Sequence, residues 1–430
     1  MKRSTKDALV IGLALFSMFF GAGNIIFPPY LGLESGNQWL IGFSSYYIAD
    51  IGLAVTAILA VLKYQGDVSE LMDHLGKRPG QLMLAAIILC IGPLIAVPRT
   101  GATTYEMFVV PLFGNIPAWV PNTIFFVIIL LLSIRKSSVV DILGKFLTPA
   151  LFLGLIFLII KGIITPIGQI SDHFNNSSVV MNGVSAGYQT MDSLGAIVFG
   201  IIIVHSAADK GYVSVKEQYR IAVASSLLAA FGLMVVYGGL TYLGASASGS
   251  INGRILRTDL ILYITNSLLG HFGVILLGIV VALACITTAV ALISAAADHF
   301  SGLSKGQLKY QWLTVFLCAF SAVISTFGTD QIVAIASPIL NLLYPGMLTL
   351  LVLSFFAERI GGDWVIRGAV LGALTASLLE IMHSFGFPLD FITRLPLAEW
   401  GFAWILPAVL GGIVGGSFRK MLKKEELTVL

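Results

Sequence analysis

Apolar stretches of roughly 20 residues, the length that carries a helix across about 30 Å of hydrocarbon, recur along the whole sequence, and no soluble fold can absorb so many of them. They lie at approximately 8–30, 38–62, 81–110, 117–134, 142–165, 188–208, 219–245, 260–297, 311–328, 331–356, 364–386 and 401–418. Short polar connectors leave no room for a separate soluble domain. Composition agrees: 57% of the 430 residues are hydrophobic and 11% charged, against about 25% charged in soluble domains.

Charge placement tests this count. With the amino terminus inside, all but five of the 25 Lys and Arg fall in cytoplasmic connectors or tails. Lys161, Arg254, Arg257 and Arg394 fall outside, and Arg99 lies within a span. Missing or adding one span would scramble this segregation, so the positive-inside rule predicts an even number of spans, both termini cytoplasmic and residence in the cell membrane. The net charge of +3 then reports orientation beside anionic lipid rather than a nucleic-acid partner. The first span follows a basic leader with Lys2, as a signal peptide does, but Pro28-Pro29 and eleven further spans predict that it is retained.

Enzyme chemistry finds no foothold. HExxH, GxSxG and GxxxxGK[ST] are absent. His74, His173, His205, His271 and His299 have no ligand spacing, and the overlapping N-x-[ST] matches at Asn175 and Asn176 are too short to carry weight. Cys90, Cys285 and Cys318 lie inside spans without CxxC spacing, so neither a disulfide, a metal site nor a cofactor is expected. No protein partner is indicated; the surrounding partner is membrane lipid.

Carriers are often built from two inverted halves whose corresponding helices are interrupted at mid-membrane. The first span runs through Gly21-Ala22-Gly23-Asn24 to Pro28-Pro29, and the sixth through Tyr188-Gln189-Thr190-Met191-Asp192-Ser193 to Gly195. Glycine costs about 1 kcal/mol relative to Ala inside a helix, so breaks are expected at Gly21 to Asn24 and at Asp192 to Gly195. Glycine also serves close helix packing, which is the plainer account of either position alone. Five spans separate the breaks, and an odd period inverts the second unit. The expected architecture is an all-α integral membrane bundle in one transporter domain: a first repeat at 8–165, an inverted second at 188–356, and two peripheral helices at 364–418.

A charge at the bilayer centre costs about 2.5–3.5 kcal/mol on insertion scales, so each one asks for a partner. Asp192, beside the second break, suits a substrate ammonium, a cation or a proton, or else caps a helix end. Asp50 and Arg99 are further intramembrane charges. A pair between them, a gate contact from Arg99 to Asp330, or a second-ion role for Asp50 all remain open. Glu106, Glu380 and His383 fall nearer the outer ends, where snorkelling to water is the simpler account. Span eight carries Ala284-Cys285-Ile286-Thr287-Thr288 among aliphatic residues. Its hydroxyls can help ligate a hard cation if carbonyls freed at a break complete the shell; the alternative is that each Thr bonds a carbonyl of its own helix.

The run Gly12-Leu13-Ala14-Leu15-Phe16-Ser17-Met18-Phe19-Phe20-Gly21-Ala22-Gly23-Asn24-Ile25-Ile26-Phe27-Pro28-Pro29 closely resembles the opening of the bacterial branched-chain amino acid:cation symporter family. The stretch Gly92-Pro93-Leu94-Ile95-Ala96-Val97-Pro98-Arg99-Thr100 agrees with it, as do length and span count. The resemblance implies a LeuT-type architecture in which a substrate carboxylate is held at a half-helix N-terminus. It places backbone donors of Ala22, Gly23 and Asn24 on that carboxylate. It sets Thr190, Met191, Asp192 and Ser193, through carbonyls and the Asp192 carboxylate, at the ammonium. It implies a sodium ion between the Ser17 and Phe20 carbonyls and Ala284, Thr287 and Thr288. A second ion at the Asn24 side chain is also suggested, although Met191 stands near where such carriers place a Thr oxygen.

The function implied is secondary active uptake of leucine, isoleucine and valine, coupled to sodium, by alternating access. A proton-coupled carrier of another small solute is the near rival, kept alive by Asp50 and Asp192. A channel, expected to repeat its pore lining in symmetric subunits, is the more distant one.

Overall fold

The computed structural model describes residues 3–134, 139–172, 178–251, 253–360 and 362–429. Lys2, Arg135, Lys136, His173, Asn175 and Asn176 lie outside the described residues. Among the described residues the chain is all-helical, without strands. Each of the twelve apolar stretches is helical, and we number the spans one to twelve in chain order. Among the described residues seven helical runs are long and apolar enough to cross a membrane, and shorter apolar helices at Trp119–Ile134, Leu151–Ile164, Tyr310–Ser325 and Ile405–Phe418 occupy spans four, five, nine and twelve.

Several spans depart from straight rods, each for a local reason. Span one is two helices, Arg3–Phe19 and Ala22–Ser35, and span six is Val179–Thr190 and Asp192–Asp209. Span two widens to a π-helical turn at Ile48–Gly52, with Asp50 at its middle; such turns frequently mark functional sites. Span three, expected as one run over 81–110, is interrupted at Cys90–Leu94 and resumes as Ala96–Thr104. Gly92 there leaves helical geometry (φ −96°, ψ −124°) and Pro93 has no N–H for the ladder. Span eight, expected as one long run over 260–297, belongs to Arg257–Leu303, which Gly270 (φ +67°) divides into an end helix and the span proper.

Close helix packing explains how the broken spans are held. A Cβ on Gly244 would lie 1.8 Å from the Pro29 carbonyl oxygen, and one on Gly32 would lie 1.9 Å from that of Thr241. The second half of span one therefore packs backbone to backbone on span seven, Val215–Ala247. At Gly187 the first half of span six meets span two, where an added Cβ would lie 3.0 Å from the Asp50 nitrogen. This is the small-residue packing expected where hydrocarbon surrounds the helices and only close contact brings them together. Lipid-facing positions carry large apolar side chains, such as Leu131, Phe231, Phe316 and Leu371.

Candidate substrate and ion site

Span one breaks at Phe20 and Gly21, earlier than expected. Gly21 is extended (φ −109°, ψ −175°), and Ala22, Gly23 and Asn24 already form the first turn of the next helix. One extended residue is enough to end the ladder, because the Gly21 carbonyl then accepts the Asn24 N–H at 3.2 Å and starts a new one. The first-turn amides of Ala22 and Gly23 are thereby left without intrahelical acceptors, at the positive end of the helix dipole. That is an anion-binding arrangement.

Span six breaks at Met191, not over Asp192 to Gly195. Met191 adopts left-handed geometry (φ +64°, ψ +15°), and Gly195 is helical, its N–H reaching the Met191 carbonyl at 2.9 Å. A non-glycine residue held there costs about 1–3 kcal/mol unless its surroundings fix it. Asp50 supplies those surroundings: Thr190 Oγ1 donates to Asp50 Oδ1 at 2.7 Å, and Ser193 Oγ donates to the Asp50 carbonyl at 3.1 Å. Span two thus ties down the residues on both sides of Met191. Ser193 is spent on this brace and does not line the central cavity.

Asn24 joins the two breaks. Its Nδ2, with two hydrogens to give, lies 2.6 Å from Asp192 Oδ2, 2.7 Å from the Phe19 carbonyl and beside the Tyr237 hydroxyl. The amide nitrogen, not the amide oxygen, therefore faces the acid. Tyr237, on span seven and fully buried, was missed by sequence reasoning; a lone Tyr in the run Val235-Val236-Tyr237 was the available signal.

Arg99 takes neither of the partners left open for it. Nη1 donates to the Gln189 carbonyl at 2.6 Å and Nη2 to that of Thr190 at 3.4 Å, so the guanidinium caps the first half of span six at its negative end. Asp192 is the foremost acid in its surroundings. Asp330 instead pairs with Arg257, whose Nη1 reaches Oδ1 and whose backbone N–H reaches Oδ2 at 3.2 Å. Phe27 lies between the two cations, its ring centroid 5.4 Å from Arg99 Cζ and 5.8 Å from Arg257 Cζ. Glu106 does not snorkel to water. It accepts from Thr258 Oγ1 and from the Thr329 N–H, both at 2.9 Å, stitching the helix ends beside the Arg257–Asp330 pair.

The residues expected at the sodium ion divide. Thr288 lines the cavity and its methyl is the neighbour a Cβ on Gly21 would meet, at 3.9 Å. Thr287 Oγ1 donates to the Ala284 carbonyl at 2.9 Å, the bond within its own helix that was the plainer alternative. Ser17 lies in the last turn before the break and Phe20 within it.

Between the breaks lies a cavity of about 50 Å³. It offers room for a few waters. Thr190, Met191, Asp192, Arg99 and Thr100 give it polar walls, and Ile91, Phe199 and Leu292 apolar ones. A far larger cleft of about 850 Å³ between spans ten, eleven and twelve is lined almost wholly by aliphatic groups. It holds no ionisable side chain and lies away from both breaks, so its size does not make it the site.

The sequence model of branched-chain amino acid transport proteins matches residues 4–422. The chain belongs to this family. It is 33% identical over 433 residues to the branched-chain amino acid permease BraB of Bacillus subtilis, with 96% of each chain covered. It is 33% identical over 416 residues to the permease BrnQ of Escherichia coli K12, with 94% of each covered. The branched-chain amino acid transport system 3 carrier protein of Pseudomonas aeruginosa is 34% identical over 421 residues, again with 94% of each covered. Members of the family are transporters, not enzymes, and the chain is a multi-pass membrane protein. Among solved structures, Mhp1, a nucleobase-cation-symport-1 family transporter, superposes with a TM-score of 0.64 at 12% identity, covering 96% of this chain and 92% of that one. MhsT in complex with L-phenylalanine does so with a TM-score of 0.56 at 18% identity, covering 95% and 97%. The fold is LeuT-type.

Proposed function

We propose that the protein imports leucine, isoleucine and valine across the cell membrane by sodium-coupled symport, with both termini cytoplasmic and two inverted five-helix units, 8–165 and 188–356, alternating access around the paired breaks. The observation that carries this reading is the Asn24 bridge to Asp192. It brings a half-helix N-terminus suited to a carboxylate within one side chain of an acid suited to an ammonium, which are the two charged ends of an amino acid.

In this reading the Ala22 and Gly23 amides take the substrate carboxylate, and Asp192 with the carbonyls near Met191 takes the ammonium. Ile91, Phe199 and Leu292 face the aliphatic side chain once the cavity opens. Sodium sits against Thr288 and the carbonyls at the end of the first half of span one, with Thr287 and Ala284 behind it. Arg257 and Asp330 close the outer mouth. The names of the relatives support the substrate class, and the placement of Thr288 beside Gly21 supports the ion.

Leucine uptake into proteoliposomes under an imposed sodium gradient, compared with a pH gradient of equal driving force, tests the coupling. Accumulation under the sodium gradient is expected. Accumulation driven solely by the pH gradient removes the sodium site.

A further inference from the structure

Asp50 is used above only as a brace, yet among the described residues it is the most deeply buried acid. Its side chain is fully enclosed, Oδ1 accepts from Thr190, and Oδ2 makes no full hydrogen bond, with the Tyr46 hydroxyl as its neighbour. Its nearest acid is Asp192, which stands between Thr190 and Ser193, the two residues that Asp50 holds, so the two carboxyls share one buried cluster. Two ionised carboxylates do not rest in contact in a low-dielectric interior; one proton between them turns repulsion into a hydrogen bond.

The charges nearby support that count. Among the described residues, Arg99, from span three, is the cation that faces Asp192. Tyr46 and Tyr47 of span two, Tyr237 of span seven and Tyr344 of span ten are the other titratable groups around it. Phenols are neutral at ordinary pH, so Arg99 balances one of the two acids and leaves one negative charge over. Neither Asp50 nor Tyr46 borders the central cavity, so a proton, which needs no cavity, is the charge that suits the pair.

We propose that Asp50 and Asp192 share a single proton in the substrate-free state, and that the ammonium of the incoming amino acid displaces it. The exchange balances. The proton leaves the pair for solvent, Asp192 ion-pairs with the ammonium, and Asp50 keeps the Thr190 hydroxyl and its Tyr46 neighbour. Two carboxylates then face two cations. This inference rests on the reading that Asp192 receives the ammonium.

The test is leucine binding to the purified full-length protein at saturating sodium, measured across pH in weakly buffered solution with a pH indicator. The expected result is release of one proton per leucine, with the dissociation constant rising about tenfold for each pH unit of acidification below the pair's apparent pKa. The Asp50→Asn variant, with one carboxyl left to pair with Arg99, is expected to bind leucine without releasing a proton. If the unaltered protein binds leucine with no proton release and a pH-independent affinity, the shared proton does not exist, while the proposed substrate stands. Release of the same proton from Asp50→Asn assigns it elsewhere and also overturns the proposal. Failure to bind leucine at all removes the substrate reading, and this inference falls with it.

Discussion

The Asn24 side-chain amide and the Asp192 carboxylate, 168 residues apart in sequence, meet at 2.6 Å across the centre of the bundle. One residue opens the second half of span one and the other opens the second half of span six. Their contact fixes the distance between the two helix breaks. Any substrate that binds both breaks must be read through this pair.

Replacing Asp192 with Asn keeps the size and removes the charge. A hydrogen bond to a charged group contributes about 1.5–3 kcal/mol, so Asp192→Asn is expected to weaken leucine binding by about tenfold to a hundredfold while the protein still assembles. Equilibrium binding of labelled leucine to detergent-purified protein measures it. Unchanged affinity would move the ammonium away from Asp192.

The two span-eight threonines are predicted to behave unequally. Thr288 faces the cavity, whereas the Thr287 hydroxyl hydrogen is already given to Ala284. Thr288→Ala is therefore expected to raise the sodium concentration for half-maximal uptake severalfold, Thr287→Ala less so, and the double replacement most. A sodium dependence unmoved by all three returns both residues to packing.

Arg257 and Asp330 form a pair that can be reversed. Either Arg257→Glu or Asp330→Arg leaves like charges facing each other, and uptake is expected to fall at least about fivefold, corresponding to about 1 kcal/mol or more of lost coupling. Combining the two should restore part of it. A double variant no better than the worse single one shows that the pair does not act as a latch.

Gly244 lies where two backbones touch. Gly244→Ala forces a methyl toward the Pro29 carbonyl, and overpacking of this kind costs about 1–3 kcal/mol. A lower yield and a melting midpoint several degrees below the unaltered protein are expected. Gly154→Ala, where an added Cβ meets nothing within 4 Å, is the control that should leave both unchanged.

Competition addresses specificity. One methylene in an apolar pocket discriminates by about 1–3 kcal/mol, so leucine, isoleucine and valine should inhibit one another's uptake. Leucine uptake indifferent to excess isoleucine contradicts the branched-chain reading.

The span pattern was legible because hydrocarbon thickness imposes a length on every helix, and the basic residues needed only counting. The first break was legible as a neighbourhood, since Gly21, Gly23 and Asn24 stand together in an apolar run. Its exact hinge was not, because the Gly21 carbonyl decides it by accepting from Asn24, a bond no residue type announces. Met191 gave no warning, as nothing about a methionine predicts left-handed geometry; the brace from Asp50, 141 positions away, holds the residues on either side of it. Arg99 was recognised as a charge needing a partner. That the partner would be the carbonyl end of a half-helix required the break in span six to be placed first.

The Phe27 ring between Arg99 and Arg257 has a mechanical meaning. Phe27 belongs to the same half-helix as Ala22 and Gly23, and its two cationic neighbours belong to spans three and eight. A tilt of that half-helix cannot disturb one stacking contact and spare the other. In the proposed reading the carboxylate amides and the outer ion pair are thus joined by one half-helix, and whatever grips its amino end is felt at that pair.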